Sequence, residues 1–343
     1  MTSAALTNLH GENMILTSSA GTASSLRQVL RTVFAGALLG ATLTAGAQTE
    51  WRPVNPVKIV VPFAVGGAAD VLARMIAPGM QQRFGQTFTV DNKTGASGSI
   101  ASDFVYSAPA DGSVVLIGVA DAHSMYPHIT KTKWDATKLV PVAGLAKTAF
   151  ILMGRNDLPA ANLPELLALM KKQSLTYSSA GAGSAMHVLT GAFGVATKVD
   201  NLLHVPYQGA GPAVLALVSG QVDLMMVPVA IAGQHRSRLK VYGVTAPKRV
   251  DVMKDVPTLS EQGVAVVGES WLGVLAPPAT PPTITDALSK AVREIVATPE
   301  FQTRVAEMGM TTITGTQAEF STLYGDEYRK WGEVIKAAKI KLD

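Results

Sequence analysis

At 343 residues, 48% apolar and 16% charged, the chain is long enough for two α/β units and has the composition of a folded protein, which excludes a disordered or fibrous one. Its net charge of +4 comes from scattered Lys and Arg, with no run longer than Lys171-Lys172 or Lys248-Arg249, so the basic cluster of a nucleic-acid binder is missing. With no cysteine, the chain has no disulfide framework, thiol nucleophile or thiolate metal site, which fits an oxidising compartment.

The first 47 residues read as a leader. In "SLRQVLRTVFAGALLGATLTAGAQ", Arg27 and Arg31 precede an apolar stretch that ends at Ala45-Gly46-Ala47. This predicts a signal peptide over 1–47, cut before Gln48, with Met14 as an alternative start. The stretch is shorter than the roughly 20 residues of a membrane span. "VKIVVPF" (57–63) then reads as a strand buried on both faces, broken by Gly66-Gly67, and apolar residues at Val71, Leu72, Met75, Ile76 and Met80 follow at helical spacing. The same order of strand, small-residue turn and helix recurs in "TFTV" before "DNKTGASGS", "SVVLIGVA" before "DAHSMYPHI" and "LTYSSA" before "GAGSAMHVLTGAF". "QVDLMMVPVA" and "KVYGVTA" read as further strands, "DALSKAVREIVATPEFQTRVAEMG" as an amphipathic helix starting after Pro282 with Thr285 as its cap, and "EFSTLYGDEYRKWGEVIKAAKI" as a final helix. Alternating β and α units predict open α/β sheets with ligands at the carboxyl ends of the strands, where each small-residue turn falls.

A glycine pair between strand and helix lets the backbone approach a bound group, and the helix N-terminus offers N–H donors and partial positive charge, so the Gly66-Gly67 loop suits an anion. "GGAAD" is neither a dinucleotide fingerprint nor a P-loop. Asp70 reads most simply as a helix-start carboxylate. Ser184 is placed to cap a helix, alone or while also touching a ligand. His187, one turn on, reads equally as a packing histidine or a ligand contact. G-x-S-x-G, S-x-x-K and H-E-x-x-H patterns are missing, and His123, His128, His187, His204 and His235 show no metal-ligand spacing, so neither catalysis, a metal nor a cofactor is expected.

In order along the chain, "VPFAVGGAADVLAR", "GQTFTVDNKTGASGSIA", "PADGSVVLIG", "GAGSAMH", "HVPYQGAGPAVLALVSGQVDLM", "DVPTLSEQG" and "WLGVLAPPATP" resemble the extracytoplasmic solute-binding proteins of tripartite tricarboxylate transporters, the Bug family, across nearly all of 58–310. The resemblance implies a type II periplasmic binding protein: two α/β lobes, 48–150 with 273–343 and 151–272, closing on a small carboxylate. It further implies a periplasmic, monomeric protein that delivers its ligand to the large and small membrane subunits of a transporter. The alternatives are an orphan ligand sensor feeding a signalling system and, third, a secreted hydrolase.

The implied site joins Phe63, Val65, Gly66, Gly67, Ala68, Ala69 and Asp70 with Asn92, Ser97, Asp121 and His123 in the first lobe. From the second lobe it takes Ser179, Ala180, Gly181, Gly183, Ser184, His187, Tyr207, Val227 and Pro228. The carboxylate would be held by backbone N–H groups of 63–70 and 180–184, partly through water, rather than by an Arg. The chain departs from the family pattern at Ala64-Val65, where two prolines are usual, and at Lys93-Thr94, where Arg-Pro is usual. It departs again at Gly191, where an acidic residue is usual, and at Val227-Pro228, where an Asp often stands. Each change makes the cleft wall smaller or more apolar, so the ligand is expected to have an apolar or aromatic body.

Overall fold

Five consecutive residues, Val57–Val61, form β1, buried throughout except for Lys58. In the computed structural model, which describes residues 50–341, β1 is the centre of a parallel trio; the expected leader and its cleavage site lie outside the described residues. Its neighbours are β2 (Phe88–Asn92) and β3 (Val114–Val119). The helix α1 (Ala68–Phe84) follows β1 and ends at Gly85, whose φ of +71° supplies the left-handed residue that closes a helix. A second helix, α2 (Ser99–Tyr106), follows β2.

The next strand runs antiparallel to its neighbours. β4 (Val140–Arg155) is 16 residues long. Its first part pairs antiparallel with β9 (Glu269–Ala276), which in turn pairs antiparallel with β3. Its last part pairs with β7 (Leu224–Pro228) and β8 (Leu239–Val244). Beyond β7 lie β5 (Leu175–Ser179) and the edge strand β6 (Leu202–Pro206), both parallel to it. A short β10 (Thr311–Thr312) joins the first part of β4. The result is two α/β lobes, each built on a parallel trio, with antiparallel β4 and β9 between them.

The helices of the second lobe are α3 (Leu163–Met170), α4 (Ala185–Thr197), α5 (Ala210–Val218) and α6 (Val229–His235). Each lobe has its own large apolar core, one around Ile59, Leu72 and Leu288, the other around Leu152, Phe193 and Leu224. α7 (Pro282–Val296) starts at Pro282, but its cap position is Pro281; Thr285 is buried inside the helix and donates to Pro282 O, which corrects its expected role as the cap. After α8 (Pro299–Glu307), the long α9 (Gln317–Ala337) opens with a Thr316–Glu319 capping box. Its Phe320 and Tyr324 pack with Trp271 in a satellite core, whereas Trp331 and Ile335 pack into the core of the second lobe. At the connection between lobes, buried Thr245 donates through Oγ1 to Gly268 O (2.6 Å) and accepts from Phe150 N (3.0 Å).

Candidate ligand-binding site

The carboxyl ends of β1, β2 and β3 carry the first set of turns. Phe63, Ala64, Val65, Gly66 and Gly67 are all exposed, Val65 at 71%. Gly66 has φ +83°, a conformation that glycine adopts freely. The loop is braced from within: Gly66 N donates to Asp70 Oδ2 (2.9 Å), Gly67 N to Ala64 O (3.2 Å), and Asn92 Nδ2 to Phe63 O (2.9 Å). Asp70 is buried and bonded by Arg74 Nε (3.0 Å), and that bond, against the opposing effect of burial, holds its pKa down to about 2. Gly67, at the cap position of α1, has no side chain to cap the helix. The N–H groups of Ala68 and Ala69, in the first turn, lack intrahelical partners by helix geometry. Beside them, Gly95, Ala96, Ser97 and Gly98 have φ of +124°, +46°, +50° and +91°. Two non-glycine residues held there are strained by about 1 kcal/mol or more each, a pattern common at ligand clamps.

The matching turn of the second lobe, between β5 and α4, is largely satisfied by its own chain. Ser184 Oγ donates to Gly181 O (2.8 Å) and accepts from His187 N (3.4 Å), the expected cap. Gly181 N donates to Ser179 Oγ (3.1 Å), Ser184 N to Gly181 O (3.2 Å), and Gly183 N to His187 Nδ1 (3.1 Å). Ala185 N, the first N–H of α4, donates across the lobes to Asp121 Oδ2 (2.9 Å), and Ser270 Oγ donates to Asp121 Oδ1 (2.9 Å). Burial pushes the Asp121 carboxyl pKa up, and these two bonds oppose the rise. The first N–H of this helix therefore meets a carboxylate of the protein itself.

Several expected ligand contacts lie elsewhere. His123 is fully buried, hydrogen-bonded to Ser102 Oγ (3.0 Å) and Val119, with Trp134 and Trp271 beside it; burial lowers its pKa to about 4. It is a packing residue because the turn after β3 folds it back into the core. Val227 is fully buried in the second core, since the end of β7 is covered on both faces. The side chains of Asp70, buried, and Asn92, half-buried, both brace the first loop, and Ala69 is buried. Ser179 is buried against His204 Nε2 (2.7 Å). Ala180 and Gly181 stay half-exposed on the turn, Tyr207 N donates to Ser179 O (3.0 Å), and Pro228, half-buried, precedes the first residue of α6 without capping it. Gly183 lies against Tyr126 and Ile129, so that a Cβ there would stand 3.2 and 3.3 Å from them. Arg74 is legible in the sequence as the i+4 partner of Asp70, whereas the role of Ser270 depends on the tertiary pairing of β9. Among the described residues, no group of three or more His, Asp or Glu could hold a metal.

Residues 72–340 match the family described as "Tripartite tricarboxylate transporter family receptor". Over 318 residues, 89% of this chain and 93% of the relative, the chain is 32% identical to the UPF0065 protein in the tcbD-tcbE intergenic region of Pseudomonas sp. (strain P51). It superposes on the periplasmic binding protein BugD with a TM-score of 0.73 at 32% identity, covering 84% of this chain and 100% of that one. For the R. palustris protein Rpa4515 with adipate, the TM-score is 0.75 at 30% identity, covering 84% and 99%. BugD is a periplasmic binding protein, and the fold that the chain shares with it and with Rpa4515 is the two-lobed one described above. The chain belongs to the receptor family of the tripartite tricarboxylate transporters.

Proposed function

We propose that this receptor captures a small carboxylate with an apolar or aromatic body in the cleft between lobes 48–150 with 273–343 and 151–272, and delivers it to the large and small membrane subunits of a tripartite transporter. The reading extends to export through the leader, cut before Gln48, to a periplasmic monomer; among the described residues, no helix is long and apolar enough to cross a membrane. The observation that carries it is the first loop. It leaves the N-terminus of α1 uncapped beside exposed Phe63 and Val65, while Arg74 is committed to Asp70. Donors at a helix terminus suit one carboxylate group, and the apolar side chains suit the rest of the ligand. The relative solved with adipate, an aliphatic dicarboxylate, supports this class.

A thermal-shift screen of aliphatic and aromatic acids tests the reading. A ligand at about 100 times its Kd adds roughly 2.7 kcal/mol of stability. Gly67→Val, which puts a Cβ 3.2 Å from Ala64 O in the exposed loop, should abolish that shift in a folded protein. A screen in which no acid raises the melting temperature, or a ligand bound equally by Gly67→Val, would refute it.

A further inference from the structure

The second lobe contains a cavity of about 800 Å³ between α4, β5, β6 and the segment that follows α9. No residue of the 63–70, 95–98 or 179–184 turns lines it; of the residues expected at the cleft, only His187 does. Such a volume is within the range of small-molecule sites, about 300 to 1,000 Å³.

Three rings form part of its wall. His187 stacks on His204 with centroids 3.8 Å apart and planes 13° from parallel, and Tyr177 stacks on His204 at 5.0 Å. Because His187 Nδ1 accepts from Gly183 N, that nitrogen carries no proton, and the proton of the ring is on Nε2. Nε2–H has no hydrogen-bond partner among the described residues, and neither has the Tyr177 hydroxyl, although the two residues are only 6% and 5% exposed. Neither atom is sealed from solvent, since the buried side-chain atoms without a partner among the described residues are Asp70 Oδ1 and Asn201 Oδ1, so both donors open into the cavity and are free to meet a ligand there. Lys198, Lys339 and Lys341 line the same cavity with one acid, Asp200, so its field favours an anion. Val195, Leu202 and Ile340 supply apolar wall.

We infer that this cavity is a second ligand site, which takes a small carboxylate with an apolar body. The carboxylate accepts from Tyr177 Oη–H and His187 Nε2–H, the lysines draw it in, and the apolar wall covers its body. The inference is independent of what the cleft binds.

Benzoate is the probe. Histidine-labelled protein is titrated while the ring nitrogen resonances of His187 are followed, with calorimetry in parallel, for the wild type, Gly67→Val, Tyr177→Phe and Lys198→Glu. Gly67→Val obstructs the cleft and leaves the cavity untouched. In that variant the Nε2 resonance of His187 should still shift and saturate. Tyr177→Phe, which removes a hydroxyl that no described group uses, should weaken this transition by roughly tenfold, as expected for one hydrogen bond to a charged group. Lys198→Glu, on an exposed residue, should weaken it as well and make it less sensitive to salt. The inference is overturned if His187 does not respond, if Tyr177→Phe and Lys198→Glu titrate like the wild type, or if Gly67→Val removes all benzoate binding. In that last case the cleft reading stands while the cavity reading falls. Benzoate binding that survives Gly67→Val and is weakened by Tyr177→Phe supports the cavity and counts against the cleft as the site for this probe.

Discussion

Asp70 shows how a single carboxylate shapes the candidate site without touching a ligand. It holds Gly66 N–H and is paired with Arg74, which keeps its pKa near 2. An unfolded Asp titrates near 3.9, so the folded state binds the proton less readily than the unfolded chain. The stabilisation is therefore complete above about pH 4 and is lost as the pH falls through about 2. Since Arg74 is half-exposed, solvent screening keeps that stabilisation small. Urea unfolding of the wild type and Asp70→Asn should show a stability gap at pH 6 that closes by about pH 2; a gap of constant size would mean that charge plays no part. The pairing was legible, because Arg74 follows Asp70 by four residues. The bond to Gly66 was not, since it depends on the left-handed turn that carries the N–H back over the helix.

At the scale of the element, the N-terminus of α4 is served by two groups of different origin. Ser184 is local, and its hydroxyl caps the helix as the sequence predicted. Asp121 comes from the first lobe and binds both Ala185 N and Ser270 Oγ. Ser184→Ala should cost about 1 kcal/mol, the usual value of a cap. Asp121→Ala should cost more, about 2 to 3 kcal/mol, because it strands two donors. Asp121→Asn should be milder, since its Oδ1 can still accept from Ala185 N while its Nδ2 donates to Ser270 Oγ. Equilibrium unfolding of the three variants checks this order, and Ser184→Ala proving the most damaging would contradict it. Among the strands, β1, β3, β5, β7 and β8 follow the apolar runs read from the sequence. β4 does not, because its 16 residues are buried on both faces for most of their length and show no period.

Two predictions concern the whole molecule. Thr245 joins the lobes where β4 and the approach to β9 meet. Thr245→Val would strand Phe150 N–H and Gly268 C=O in a buried position, at a cost of about 2 to 4 kcal/mol, measured as a lower urea midpoint. An unchanged midpoint would show that the connection is held by packing alone. The second prediction follows from two buried histidines. Burial lowers the pKa of His123 to about 4, and burial together with the neighbouring His204 does the same for His187. Both are depressed below the unfolded value near 6.5, so the unfolded chain takes up protons first as the pH drops. Stability should be flat above about pH 6.5 and fall by several kcal/mol towards pH 4. A melting temperature that does not change over that window would contradict their burial as neutral rings.

The sequence by itself determined the α/β class, the places where small-residue turns interrupt strand and helix, the cap at Ser184 and the family, because these depend on residue type and on spacing within a few positions. Tertiary structure decided what each turn is free to do. Whether Ala185 N–H meets a ligand or Asp121 depends on residues 64 positions apart, and the burial of His123 and Val227 depends on how the strands that carry them are covered. Those outcomes follow from which N–H groups, carboxylates and apolar faces the chain brings within hydrogen-bonding or van der Waals distance, and local pattern does not encode long-range distance.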